Sequence, residues 1–459
     1  MTFASGPRGG NDLPTSNATP QRATRRGAAP VLLAIALAAC GEGEVILPGE
    51  RLDIAAAAPG YALAPATAPM SAFAAPAQVV NGAWTHTNGT PSHAIAHPAL
   101  AANPIPIWST AVGAGDSRGN RITASPVAAG GIVYTLDSQA GVAAVDAASS
   151  AVIWRTDLSP ASDRPSDASG GGLALSGGAL YVTSGFGTLT ALDSRTGARL
   201  WTQDLDAAAT GAPTVDGDLV YAVSRDGLGW AVETSNGKVR WQVDGIGDAA
   251  GVTGPAGPAV AGRSVFFPFG AGDIVAALRD GGTRLWGASV TGARDGAAYF
   301  ELDDITGTVV VDGARLLAGN ATGRIVALDA VSGERIWTAR EGAVGPVWPS
   351  AGSVFAVTDA GAAIRLDAAT GAQVWSTQLP TFTARREKRR KGVVAHYGPV
   401  LAGGRLWVAS SDGLLRGLDP STGAVASQIN LPAGAASAPI VVNRVMYVMD
   451  ERGRLNALR

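Results

Sequence analysis

Cysteine, histidine and methionine are nearly missing from this 459-residue chain, which holds one, four and four of them respectively. A single cysteine, Cys40, excludes any disulfide within the chain, so stability in an oxidising compartment has to come from packing. Charge is also scarce. Charged residues make up 16% of the sequence and the formal net charge is −2, which argues against the basic surplus of a nucleic-acid-binding protein and against an acidic tail. No amphipathic helical run of useful length occurs, and the one sustained apolar run, residues 28–39, is too short to span a bilayer comfortably. What abounds is glycine, 61 residues, and proline, 27. That composition suits many short strands joined by tight turns.

The stretch ALDSRTGARLW, Ala191 to Trp201, sets the pattern for most of the chain. Its spacing recurs at Ala144 to Trp154, Ala231 to Trp241, Ala276 to Trp286, Ala327 to Trp337 and Arg365 to Trp375, and without its tryptophan at Gly417 to Ser427. Upstream of each copy lies an apolar run, a Gly-Gly or Asp-Gly pair and a second apolar run, as in PTVDGDLVY from Pro213. A period of about 40 to 50 residues built from strand and turn signals predicts a β-propeller. The glycine pairs suit two-residue hairpins, whose central positions need positive φ. Asp193, Thr196 and Gly197 suit a longer hairpin, with the acid and hydroxyl bonding backbone amides and the glycine left-handed. The tryptophan then lies on the outermost strand and packs between blades, burying roughly 150–250 Å² per ring. Docking positions are Trp154, Trp201, Trp241, Trp286, Trp337 and Trp375.

Eight such units begin near Pro126, Gly172, Pro213, Pro258, Thr308, Pro349, Pro399 and Pro439. The eighth stops at Arg459 without a fourth strand, and Ile105 to Val112, with Trp108 at the docking position, supplies it. The expected fold is therefore all-β, an eight-bladed propeller over residues 101–459 whose last blade is closed by an N-terminal strand. Ser427 for tryptophan, Ser149-Ser150 for Thr-Gly and Leu278 for aspartate read as drift within a scaffold.

Ahead of the propeller, Arg22, Arg25 and Arg26 precede the apolar run, which ends in Leu37-Ala38-Ala39-Cys40-Gly41. A charged region, a short apolar core and this ending predict a lipoprotein signal over residues 1–39 with Cys40 as the acylated residue. The 21 residues before the basic cluster are long for such a leader and point to a start downstream of Met1. Arg25-Arg26 lacks the apolar residue usual after a twin-arginine pair. Residues 40–100, rich in alanine and proline, are expected to form a tether.

Chemistry-bearing sets are few. His86, His93 and His97 are enough in number for a metal, but they lie in a Pro- and Gly-rich segment without the rigid frame that fixed ligand geometry needs. A structural or surface role is expected, with no metal and no cofactor. His396 has no nucleophile signature near it, and no catalytic triad or phosphate loop can be assembled. The non-repeating parts are the interblade segments Ser159 to Gly171, Asp244 to Gly257, Gly287 to Gly307 and Thr377 to Gly398, on the face opposite the tight turns, where binding usually sits. The third carries Asp295, Glu301, Asp303 and Asp304. The fourth carries Arg385, Arg386, Lys388, Arg389, Arg390 and Lys391, a basic run that suits an acidic partner surface, anionic lipid or nucleic acid, or else a solvated loop. Nucleic acid fits an exported lipoprotein least.

The Ala-x-Asp-x-x-Thr-Gly-x-x-x-Trp phrase resembles the tryptophan-docking motif of the pyrroloquinoline-quinone dehydrogenase propellers. That resemblance implies a calcium-bound quinone, an adjacent cysteine pair and an acidic base, and the cysteine pair is absent here. Lipobox, tether and ring together, with the phrases VILPGERLD, GAGDSRGNRI and REKRRKGVVAHYGPV, resemble the alphaproteobacterial branch of the BamB family, outer-membrane lipoproteins of the β-barrel assembly (BAM) machinery. This resemblance implies a non-enzymatic scaffold, lipid-anchored at the outer membrane and facing the periplasm. Its implied partners are the POTRA domains of the barrel-forming subunit BamA, other BAM subunits and nascent outer-membrane proteins. It implies a contact through Val252, Thr253, Gly254, Leu302, Asp303, Asp304 and Ile305. The family's companion arginine falls at Thr253, for which Arg294 or the basic loop could compensate. A quinone-dependent dehydrogenase and a general periplasmic module that binds protein or cell wall are the competing readings.

Overall fold

The computed structural model describes residues 63–245, 256–290, 305–321, 323–384, 390 and 392–459. Their strands form eight antiparallel sheets. Blades 1 to 7 span residues 127–157, 171–204, 214–244, 259–289, 307–339, 348–378 and 396–430, each ordered by sequence from its inner to its outer strand. Blade 8 takes three strands from 440–458 and its outermost from Pro106–Ala111, which pairs antiparallel with Arg454–Leu458. The ends of the chain thus complete one sheet, as the repeat arithmetic predicts.

The turns follow their residues. Gly177 and Gly178 sit at φ 59° and 82°, both positive as a two-residue hairpin requires. In the longer hairpin, Asp193 accepts from the Arg195 and Thr196 amides at 3.0 and 2.8 Å and from the Thr196 hydroxyl at 2.9 Å. Asp146, Asp329, Asp367 and Asp419 make the same bonds in their own blades.

Seven seams are stitched by the predicted tryptophans. The indole N–H of Trp108, Trp154, Trp201, Trp241, Trp286, Trp337 and Trp375 donates to a carbonyl of the next blade: Ala147, Ser194, Thr234, Arg279, Ala330, Ala368 and Pro420, at 2.9 to 3.3 Å. The Trp108 bond runs from blade 8 to blade 1 and closes the ring. Six of these rings lie against the left-handed glycine of the neighbouring turn. At Gly371, φ 73°, a Cβ would come within 2.5 Å of the Trp337 ring. Glycine there provides both the backbone conformation and the close approach.

The seam between blades 7 and 8 has no docking tryptophan, and its loss is compensated rather than mere drift. Trp407, on the second strand of blade 7, is fully buried, and a Cβ on its cross-strand partner Gly417 would meet its ring at 3.0 Å. The large ring has moved two strands inward.

At the first turn, Ser150 holds φ 63° where the other turns have glycine. A left-handed residue bearing a Cβ costs about 1–2 kcal/mol, partly offset by its lower entropy in the unfolded chain. Ser150→Gly is therefore expected to stabilise the protein by about 0.5–1 kcal/mol, raising the urea midpoint. A lowered midpoint would contradict this reading of the turn.

Of the expected tether, residues 40–62 lie outside the described residues, whereas residues 63–100 pack on the ring. Leu63 bridges Thr338 at the outer edge of blade 5, and the Arg365 guanidinium donates to the Ser71 carbonyl and hydroxyl at 2.7 and 3.0 Å. Phe73 meets Phe355 edge-on at 5.2 Å. The chain then enters the central channel. Ala83–Trp84 pairs antiparallel with Val127–Ala129, giving blade 1 a fifth, innermost strand. A segment without regular structure can be buried only if its backbone groups are satisfied, and the inner strands offer unpaired edges that do so.

Candidate protein-docking face

The channel segment touches all eight blades. Besides the pairing with blade 1, Leu175 N donates to Thr85 O, Val215 N to His86 Nε2, Val260 N to Pro91 O and Val311 N to Ser92 O. Trp84 stacks on Trp348 of blade 6 at 6.2 Å, Gly404 N of blade 7 donates to His97 Nε2, and Asn443 N of blade 8 donates to Asn81 O. These contacts lie near the tight-turn ends of the inner strands, so the segment plugs that mouth of the channel.

Three histidines act as its pins. His86 Nε2 accepts the Val215 amide at 3.0 Å, His93 Nδ1 donates to the Val309 carbonyl at 2.7 Å, and His97 Nδ1 donates to the Pro76 carbonyl at 2.8 Å. All three are buried. Burial, assisted by the mutual repulsion of two imidazolium charges, lowers His86 to about 3, and burial lowers His93 to about 4. Both are neutral at pH 7. Each imidazole spends its nitrogens on hydrogen bonds that fix a different blade, a structural role. Among the described residues, no group of three or more His, Cys, Asp or Glu side chains is placed to hold a metal ion.

Above the plug the channel is a blind cavity of about 940 Å³, floored by Trp84, His86, Thr87 and Asn88 and opening on the face of the interblade loops. Its walls are mainly apolar, including Ile122, Val127, Leu173 and Val357. Polar groups gather at the rim. Asp116 accepts the Arg121 guanidinium at 3.1 Å, and Glu451 stands nearby with its carboxyl raised by burial and by the Asp116 charge. Burial likewise pushes the Tyr397 phenol up to about 12. His396 is bonded to Ser410 Oγ and to the Pro380 carbonyl at 2.8 and 3.0 Å. Ser410 and His396 are both buried and the second imidazole nitrogen is held by the Pro380 carbonyl, so this serine–histidine pair is wired to its own frame.

Of the expected contact residues, Val252, Thr253, Gly254, Arg294, Leu302, Asp303 and Asp304 lie outside the described residues, as do Cys40, Arg385, Arg386, Lys388, Arg389 and Lys391. Ile305 is described and buried, packed in the core cluster that contains Phe266, Val290 and Val309. Its side chain anchors the end of the interblade loop. Arg390 is described, with its guanidinium 5.2 Å from the centroid of the Phe382 ring. Phe382 and Val393 at the mouth of the channel are functional candidates that sequence reading missed. The only signal was their position on either side of the basic run.

A family model for the outer membrane protein assembly factor BamB matches residues 138–377 and 380–459. The chain belongs to the BamB family. BamB of Yersinia pestis is 27% identical over 362 residues, covering 77% of this chain and 88% of that protein. BamB of Vibrio cholerae is 32% identical over 358 residues, with the same shares covered. In fold, the chain is similar to BamB from Moraxella catarrhalis, with a TM-score of 0.63 and 19% identity over 78% of this chain and 99% of that one. It is equally similar in fold to a europium-containing methanol dehydrogenase, with a TM-score of 0.64 and 17% identity over 80% and 89%. The ring is thus shared between BamB proteins and quinoprotein dehydrogenases, and the sequence match separates them, placing this ring with BamB.

Proposed function

We propose that this BamB-family chain is a non-catalytic scaffold of the β-barrel assembly machinery, acylated at Cys40, held at the periplasmic side of the outer membrane and bound to the POTRA domains of BamA. The family match over nearly the whole ring carries the proposal. The architecture supports it in two ways: tryptophan seams and the plug tie the blades to one another, and the described strands that flank the non-repeating segments end on the side opposite the tight turns. Rigid scaffolds with variable loops bind partners without reorganising. The contact is assigned to Val252, Thr253, Gly254, Leu302, Asp303 and Asp304, with Arg294 as the basic companion. The anchoring of Ile305 in the core gives the second of these loops a fixed base.

Acidic side chains at an interface fail when their charge is reversed, because like charges then meet across it. Asp303→Lys together with Asp304→Lys is expected to reduce co-purification of BamA with the full-length protein at least about tenfold, while the protein's thermal midpoint is unchanged. Unaltered co-purification would sink the contact assignment.

A further inference from the structure

One wall of the blind channel carries two polar groups without a partner among the described residues. Glu451 is clamped by its backbone, its N donating to Gly434 O and its O accepting from Asp116 N, both at 2.8 Å. Its half-buried carboxylate lines the cavity, yet it accepts no hydrogen bond and joins no ion pair among the described residues. Gly434 makes room for it, because a Cβ at that position would stand 2.7 Å from Glu451 Oε2. The Tyr397 ring packs on the core and also lines the cavity, and its hydroxyl likewise has no hydrogen-bond partner there. The two groups are neighbours, since the charges of Asp116 and Glu451 add to the effect of burial on the Tyr397 phenol.

Among the described lining residues, three carboxylates, Asp116, Asp359 and Glu451, stand against one guanidinium, Arg121. Arg121, with its side chain 63% exposed, reaches Asp116 from the solvent side and leaves Glu451 without a cation. Burial lowers His86 and His396, so neither adds positive charge at pH 7. A half-buried carboxylate without a donor is stabilised by a cation beside it, and a phenol oxygen can accept from the same cation. The rest of the described wall is mainly apolar, with Ile122, Leu173 and Val357. Cavities of this size accept ligands with a few well-placed polar groups and much buried apolar area. An extended polypeptide suits such walls poorly, because its amides and carbonyls would lie against them unpaired. A bilayer surface cannot enter a blind tube at all.

We propose that the blind channel is a binding site for a small organic amine, whose protonated nitrogen donates to the Glu451 carboxylate and the Tyr397 hydroxyl and whose apolar body covers Ile122, Leu173 and Val357. The plug gives the site a floor, so the amine enters and leaves by the one mouth. The site is separate from the blade 3 to blade 5 loops and does not depend on their binding of BamA.

The test titrates the purified full-length protein with hexylamine by calorimetry at neutral pH. Hexanol, which keeps the apolar body and lacks the charge, and a short peptide presenting one lysine among alanine and leucine serve as the other probes. Hexylamine is expected to bind with a dissociation constant below about 1 mM and at least about tenfold more tightly than hexanol. Glu451→Gln is expected to remove that preference, and Tyr397→Phe, which keeps the ring, to weaken the amine about threefold. Neither substitution takes a hydrogen bond or an ion pair from the protein, so both thermal midpoints stay at or above the wild-type value. Asp163→Asn, on an exposed loop outside the cavity, leaves amine binding unchanged. Amine binding that neither Glu451→Gln nor Tyr397→Phe diminishes would overturn the proposal. So would hexanol binding as tightly as hexylamine, no binding of hexylamine, or tighter binding of the lysine peptide than of the free amine.

Discussion

Trp84→Ala is expected to lower the unfolding free energy by about 3–5 kcal/mol, the loss typical of removing a large aromatic from a packed interior. Trp84 lies more than forty residues upstream of the first complete blade. Even so, its side chain is 2% exposed, stacks on Trp348 at an interplanar angle of 29° and belongs to the cluster that includes Phe355 and Trp407. Truncation would empty the channel axis, where Trp348 and the edge of blade 1 cannot both move in to fill the gap. Were residues 79–100 a tether, the same substitution would change stability by no more than about 0.5 kcal/mol. The urea midpoint followed by far-ultraviolet circular dichroism distinguishes the two, and a shift within that smaller bound would contradict the plug.

Acidification should loosen the same element. An unfolded chain takes up protons on His86 and His93 near pH 6.5, whereas the folded protein binds them only near pH 3 and 4. Between these limits the unfolded state holds more protons, so stability is full above about pH 6.5 and is lost as pH falls through that window. Each fully developed proton difference contributes a slope of about 1.4 kcal/mol per pH unit, so the pair gives a limiting slope of about 2.7. His396, also lowered by burial, adds in the same direction, while Asp273 and Glu451, raised by burial, act in the opposite one. Thermal midpoints should fall between pH 6.5 and 5, and His93→Asn should start lower at pH 7 but fall less steeply. Parallel pH profiles for the variant and the wild type would show that His93 does not carry the linkage.

The ring was legible in the sequence because its chemistry is local and repeated. Asp193, Thr196 and Gly197 close a hairpin within five residues, and each docking tryptophan sits at a constant distance from such a turn. Even the closure of blade 8 by Pro106–Ala111 could be read from a missing strand at one end and a spare one at the other. The plug was not legible, since its partners are scattered: Asn81 bonds to Val441, 360 positions away, and His93 to Val309, 216 away. No periodicity announces a segment whose backbone is satisfied by different strands in turn. The compensation by Trp407 was hidden for a similar reason, because it depends on a cross-strand glycine rather than on spacing in the docking motif. For the partner-binding loops, resemblance alone supplied the residues. Sequence placed Ile305 among the contacts, whereas packing turns its side chain into the core.

The central claim, that this ring serves outer-membrane assembly rather than quinone chemistry, is tested most directly by isolating the tagged full-length protein from native outer membranes and identifying what accompanies it. The account predicts that BamA co-isolates and that the recovered protein, supplied with pyrroloquinoline quinone and calcium, reduces no dye with alcohols or sugars. Isolation without BamA, together with substrate-dependent dye reduction, would contradict it.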